Sequence, residues 1–224
     1  MKAISILSGG LDSTIATIKL AGKHDIHAIT FDYGQKSSKM EIKAARIISR
    51  LYGFKHYIIR LPWLGELGGS ALTNKKDRIP RPNMEELDTA TARETARKVW
   101  VPARNLVFTS IGAAYADALD ARAIIVGWDK EEAATFPDNS QRFLEAFNEV
   151  LEMGTWVDVE VKAPFIDYTK KEIITEGYRL GVPFEATYSC YEGGSLHCGV
   201  CESCMRRKRA FKLAGIKDPT SYRL

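Results

Sequence analysis

Ser8-Gly9-Gly10-Leu11-Asp12-Ser13-Thr14 joins a short apolar run, residues 2–7, to an amphipathic stretch, residues 13–21. A turn from strand into helix here gathers unpaired backbone N–H groups and the positive end of a helix dipole at one spot. Two glycines let that backbone approach a phosphate with no Cβ in the way, and Ser8, Ser13 and Thr14 add hydroxyl donors. The string lacks the Gly-Lys-Ser/Thr ending of a Walker A loop and is not a GxGxxG fingerprint. A plain strand-to-helix turn capped by Asp12 would explain a lone Gly-Gly pair, but the seven-residue string is far more specific.

Working outward, apolar runs at 26–33, 55–61, 123–128 and 157–165 alternate with helical stretches at 39–52, 106–119, 141–152 and 170–180. Leu11, Ile15 and Ile18 recur at helical spacing, as do Ile42, Ala45, Ile48 and Tyr52. This alternation predicts an α/β fold, a doubly wound parallel sheet of five strands with helices on both faces. Residues 62–97, with three glycines and three prolines, read as an irregular excursion within a first domain spanning 1–185. Residues 186–224 read as a second unit, a cysteine-rich loop followed by a basic helix at 201–213.

With 224 residues, 45% hydrophobic and 27% charged, the chain has the balance of a globular protein with a core of its own. A net charge of +4 is too small an excess to argue for nucleic acid. No run approaches the roughly 20 apolar residues that span a bilayer, and the first apolar run is too short for a secretory leader. A cytoplasmic protein is expected.

All four cysteines, Cys190, Cys198, Cys201 and Cys204, fall in one segment. Disulfides are usually more dispersed and are disfavoured in the cytoplasm. The two Cys-x2-Cys steps suit tetrahedral zinc in a structural role, a closed shell without catalytic duty. The same four thiols would also serve an iron–sulfur cluster. His197 is a substitute ligand of lesser claim. The run Arg206-Arg207-Lys208-Arg209 reads as a solvated helix face, or as an anchor for a phosphate-bearing ligand, with Phe211 and Leu213 making the apolar contacts.

The Ser8–Ser13 string resembles the pyrophosphate loop, Ser-Gly-Gly-x-Asp-Ser, of the PP-loop ATP pyrophosphatases. That resemblance implies a Rossmann-like fold and cleavage of ATP between its α- and β-phosphates. Residues Ser8, Gly9, Gly10, Leu11, Asp12, Ser13 and Thr14 would bind phosphates, and Asp12 would help position Mg2+. Further strings resemble one branch, the 7-cyano-7-deazaguanine synthases: Phe31-Asp32-Tyr33-Gly34-Gln35-Lys36, Val101-Pro102-Ala103-Arg104-Asn105, Phe136-Pro137-Asp138, Pro164-Phe165-Ile166-Asp167 with Lys170-Lys171-Glu172-Ile173, and Tyr188-Ser189-Cys190-Tyr191. Together they run through nearly the whole chain. Two positions depart from the branch pattern: Ser37 stands where a histidine is usual, and Asn139-Ser140 where Cys-Arg is usual.

The resemblance implies that 7-carboxy-7-deazaguanine and ammonia give a nitrile, with ATP adenylating the carboxylate and then the amide oxygen. The product would feed queuosine or archaeosine, modified nucleosides of tRNA. In this reading Lys171 reaches the α-phosphate or leaving pyrophosphate, beside Asp12 and Ser13. Arg104 neutralises the substrate carboxylate or a phosphate, and Asn105 caps the following helix. Asp138 reads the guanine-like edge, and Asp32 faces the ATP site or bonds to a nearby loop. The resemblance also implies a homodimer with no direct nucleic-acid contact. The rival readings are a PP-loop tRNA thiolase or amidating enzyme, and a zinc-bearing tRNA-binding module without turnover.

Overall fold

The computed structural model describes the backbone of residues 1–224 and every side chain except those of residues 90 and 91. The strands β1 (Lys2–Ile6), β2 (Asp25–Asp32), β3 (Lys55–Arg60), β4 (Ala121–Ile125) and β5 (Glu160–Lys162) send successive side chains to opposite faces. Ile4, Ile29, Phe31 and Ile124 enter one core, while Ala3, Ile26, Ala28 and Ile125 enter another. Burial on both faces is what a parallel sheet requires. All pairings are parallel, in the order β3-β2-β1-β4-β5.

Helices α1 (Leu11–Ala21) and α2 (Ser38–Tyr52) follow β1 and β2. Leu11, Ile15 and Ile18 of α1 and Ala45 and Ile48 of α2 are buried in one core, with Ile173 and Ile174 of the later helix α8 (Lys170–Arg179). The opposite core takes Phe108, Ala113 and Ala116 of α5 (Arg104–Leu119) and Phe147 and Leu151 of α7 (Gln141–Gly154). The chain thus winds outward from β1 to β3, then returns to lay β4 beside β1. At that reversal the carboxyl ends of β1 and β4 open a crevice, the place where doubly wound sheets bind ligands.

The expected strand at 157–165 forms a ladder over Glu160–Lys162, with a separate bridge from Phe165 to Asp129. The N–H groups of Trp156 and Val157 donate instead to Asp117 Oδ1, at 2.9 and 3.1 Å, and Pro164 has no N–H to offer a ladder. Residues 62–97 are less irregular than expected. They hold α3 (Pro62–Glu66) and most of α4 (Ala90–Val99), and they bury Leu64, Leu72 and Ile79 in the first core. The last helix, α9 (Glu202–Ala214), packs on α8, and Phe211 is buried against Phe184.

Candidate active site

A cavity of about 220 Å³ occupies the crevice. One part of its wall is the turn into α1. Gly10 is the N-cap and offers no side chain to the helix, so the first N–H groups of α1 have no capping acceptor. Ser8 Oγ accepts from Gly10 N at 3.2 Å and lies 3.0 Å from Ser13 Oγ. Ser8, Gly10, Leu11, Asp12 and Ser13 line the cavity. Gly9 and Thr14 do not. Gly9 has φ +79°, and a Cβ there would lie 2.7 Å from the backbone nitrogen of Ala45, so glycine here lets the turn sit on α2. Thr14 is fully buried, and its hydroxyl has no partner among the described residues. Gly127, just past β4, presses on the same turn: a Cβ there would fall 2.5 Å from Ser13 N.

Next to this turn three carboxylates surround one ammonium. Lys170 Nζ donates to Asp12 Oδ2 at 2.6 Å, Asp129 Oδ2 at 2.8 Å and Glu132 Oε1 at 2.9 Å. Lys170 is the first residue of α8. Thr169 caps that helix through a capping box with Glu172. Asp129 caps the short α6 (Lys130–Ala133) by accepting from the N–H groups of Glu131 and Glu132, which turns its other oxygen to Lys170. Burial raises the carboxyls of Asp12 and Asp129, the latter to about 7, against the pull of Lys170. Burial opposes the ammonium, yet the three acids hold its pKa well above the ordinary value. Ligand oxygens of Asp12, Asp129 and Glu132 lie within 4.8 Å of one another, and Asp12 Oδ1 is buried without a partner among the described residues. The lysine in this cluster is therefore Lys170. Lys171, the sequence-based expectation, is exposed and does not line the cavity.

Arg104 opens α5 and lines the cavity with Phe31, Tyr33, Phe108 and Phe136. Burial works against its charge, but Tyr33, Tyr191 and Asp138 raise the guanidinium above its ordinary value. Among the described residues its hydrogen-bond acceptor is Tyr33 Oη, at 3.3 Å, which leaves most of its five N–H donors open. Glu41 also lines the cavity. It accepts from Ser37 Oγ and Gln35 Nε2, and burial raises its pKa.

Two expectations for this region change. Asp138 does not reach the cavity wall: its carboxylate accepts from the backbone N–H of Asn105 at 3.2 Å and so caps α5. Asn105 does not cap the helix. Its amide bonds to the Asp138 carbonyl and to Asn139 instead. Asp32 also lies off the wall and accepts from Gly34 N at 3.3 Å, which is the loop contact.

The four cysteines are buried, reduced, and have sulfurs within 4.8 Å of one another. Backbone N–H groups of Cys198 and Cys201 point at the sulfurs of Cys190 and Cys198, at 3.3 and 3.2 Å. Convergent thiols with amide donors behind them can hold a metal ion. His197 stands outside this group and accepts from Ser189 N at 3.0 Å.

The basic run that follows is not a solvated face. Arg206 and Arg207 are buried, and Leu213, expected to pack, is 59% exposed. Arg207 bonds Asp218, Thr187 and the Phe184 carbonyl. Arg206 pairs with Glu202, and Arg206 and Arg209 both reach Glu131 Oε2. Glu131 Oε1 accepts from the backbone N–H of Lys170 at 2.8 Å, so α9 is tied to the carboxylate cluster.

A family model described as queuosine biosynthesis protein QueC matches residues 2–215. The chain is 61% identical over 223 residues to a 7-cyano-7-deazaguanine synthase of Methanothermobacter thermautotrophicus, covering 100% of both chains. It is 49% identical over 232 residues to one from Methanocaldococcus jannaschii, covering 99% of each. Among solved structures, an NMN synthetase from Francisella tularensis aligns with 96% of this chain and 84% of its own, at TM-score 0.46 and 15% identity. With a family model spanning nearly its whole length and relatives this similar from end to end, the chain belongs to the family of the queuosine biosynthesis protein QueC.

Proposed function

We propose that this chain converts 7-carboxy-7-deazaguanine and ammonia to 7-cyano-7-deazaguanine with consumption of ATP, as an AMP-forming ligase in the route to queuosine or archaeosine. The observation that carries this reading is one cavity joining an uncapped helix N-terminus to a half-buried arginine with open donors. The first suits a polyphosphate and the second a carboxylate. Aromatic side chains between them suit flat rings.

The N–H groups at the start of α1, with the hydroxyls of Ser8 and Ser13, hold the phosphates. Arg104 orients the substrate carboxylate. One carboxylate oxygen attacks the α-phosphorus, the bond to the bridging oxygen breaks, and pyrophosphate leaves. Ammonia then displaces AMP to give the amide. Adenylation of the amide oxygen by a second ATP, followed by loss of AMP and two protons, gives the nitrile. Lys170 balances the charge that gathers on the departing pyrophosphate. The Asp12 carboxylate, with one oxygen unpaired, would hold Mg2+ together with phosphate oxygens, and the ion would supply charge neutralisation there. The four thiolates would hold Zn2+ in a closed structural shell.

The enzyme acts in the cytoplasm as a homodimer on a free base, without direct nucleic-acid contact. None of the described helices is long and apolar enough to cross a membrane. The test is mass spectrometry of products from 7-carboxy-7-deazaguanine, ammonia and Mg-ATP. Nitrile and AMP are expected. AMP release stimulated only by tRNA would refute the substrate.

A further inference from the structure

Asn139 ends the single 3-10 turn Pro137–Asn139, is 2% exposed and lines the cavity beside Arg104, Asn105 and Phe136. Its amide oxygen accepts from Asn105 Nδ2 at 3.3 Å, while its own Nδ2 is buried with no partner among the described residues. The surrounding bonds fix which end is which. The Asp138 carbonyl can only accept, and Asn105 Nδ2 donates to it at 3.2 Å. Asn105 therefore presents its amino group to Asn139, which must answer with oxygen. The amino group of Asn139 is turned away from Asn105, with two donors and no acceptor. A buried polar group without a partner is rare and calls for an explanation.

The substrate assigned above supplies one, and the inference rests on that reading. A 7-carboxy-7-deazaguanine carries its carboxylate on C7 and a carbonyl oxygen on C6. These substituents are neighbours on the same edge of the fused rings. The group that meets the carbonyl must therefore lie beside the group that holds the carboxylate. Arg104, with its open donors, is directly followed by Asn105, and Asn105 is hydrogen-bonded to Asn139. C7 is carbon and accepts no hydrogen bond, so the carbonyl is the neutral acceptor on that edge. We propose that the Asn139 amide donates to this ring carbonyl oxygen, which makes Asn139 a specificity-determining residue for the deazaguanine.

The experiment pairs a side-chain change with a ligand change. Asn139→Asp keeps the shape and removes the donor, and Asn139→Ala removes the amide without adding charge. Each is assayed on the acid and on its 6-deoxo analogue, 2-amino-7-carboxy-7-deazapurine. Wild type is expected to lose about 10- to 100-fold in kcat/KM on the analogue. The variants should lose as much on the acid, with KM for ATP held within about twofold, and lose little more on the analogue. Full additivity of the two losses would overturn the inference, since it would mean that Asn139 meets another atom, such as a carboxylate oxygen. Wild-type rates for both variants on the acid would also overturn it. Failure of wild type to turn over the acid at all would sink the substrate reading, and this inference with it; additivity with an active wild type sinks this inference alone.

Discussion

Lys170 is the charge on which the carboxylate cluster depends, and Lys170→Met isolates that dependence. The variant keeps the aliphatic stem and leaves three acids within 4.8 Å of one another without their cation. Removing one partner from a buried charge group costs about 3–5 kcal/mol. At about 2–4 °C per kcal/mol for a domain of this size, Tm should fall by about 6–20 °C. The loss must also depend on pH. Asp129 already sits near 7 because burial raises it, and without Lys170 it and Asp12 move higher still. Between the unfolded value near 4 and the raised folded value, the folded state binds more protons than the unfolded one. Stability therefore falls as pH rises through that window. Thermal unfolding followed by circular dichroism should show the larger loss near pH 8 and a smaller one near pH 5.5. An equal loss at both pH values, or a fall of less than about 3 °C near pH 8, would refute the reasoning.

Cys201→Ser should lower metal content per chain and Tm together, because metal binding and folding are coupled; elemental analysis beside thermal unfolding checks this, and retained metal with unchanged Tm contradicts it. Gly127→Ala pushes a Cβ to 2.5 Å from Ser13 N. It should cut kcat/KM for ATP by about tenfold or more, since overpacking costs about 1–3 kcal/mol. Lys171→Ala removes an exposed side chain and should leave steady-state rates within about twofold; a hundredfold loss would restore that residue to the mechanism.

The parallel sheet and its loop were legible because strand-helix alternation and the Ser8–Thr14 string are local signals. So was the cysteine group, whose ligands lie within fifteen residues. The lysine that meets Asp12 stands one position before the one the sequence suggests, although the signal is present. Thr169-x-x-Glu172 is a capping box, which fixes Lys170 as the first helical residue. Lys170, Ile173, Ile174 and Gly177 then form the buried i, i+3, i+4, i+7 stripe, with Lys171 outside it. The arginines of α9 were harder. Apart from Glu202 on the same helix, their acidic partners are Asp88 in the 3-10 turn Glu85–Asp88, Glu131 in α6 and Asp218 beyond α9, and no local pattern announces such pairing. Helix α4 was hidden by the prolines and glycines before it. The function of Asp138 could not be read either, because capping α5 is a contact across 33 positions.

One helix carries both Cys204 and the two arginines that grip Glu131, whose other oxygen seats the start of α8. Whatever ion the thiols take up, its loss would loosen the beam from which the charged face of the pocket hangs. Starvation for that ion would then silence the reaction from a distance, by letting an anchor slip while every group that meets the nucleotide stays in the chain.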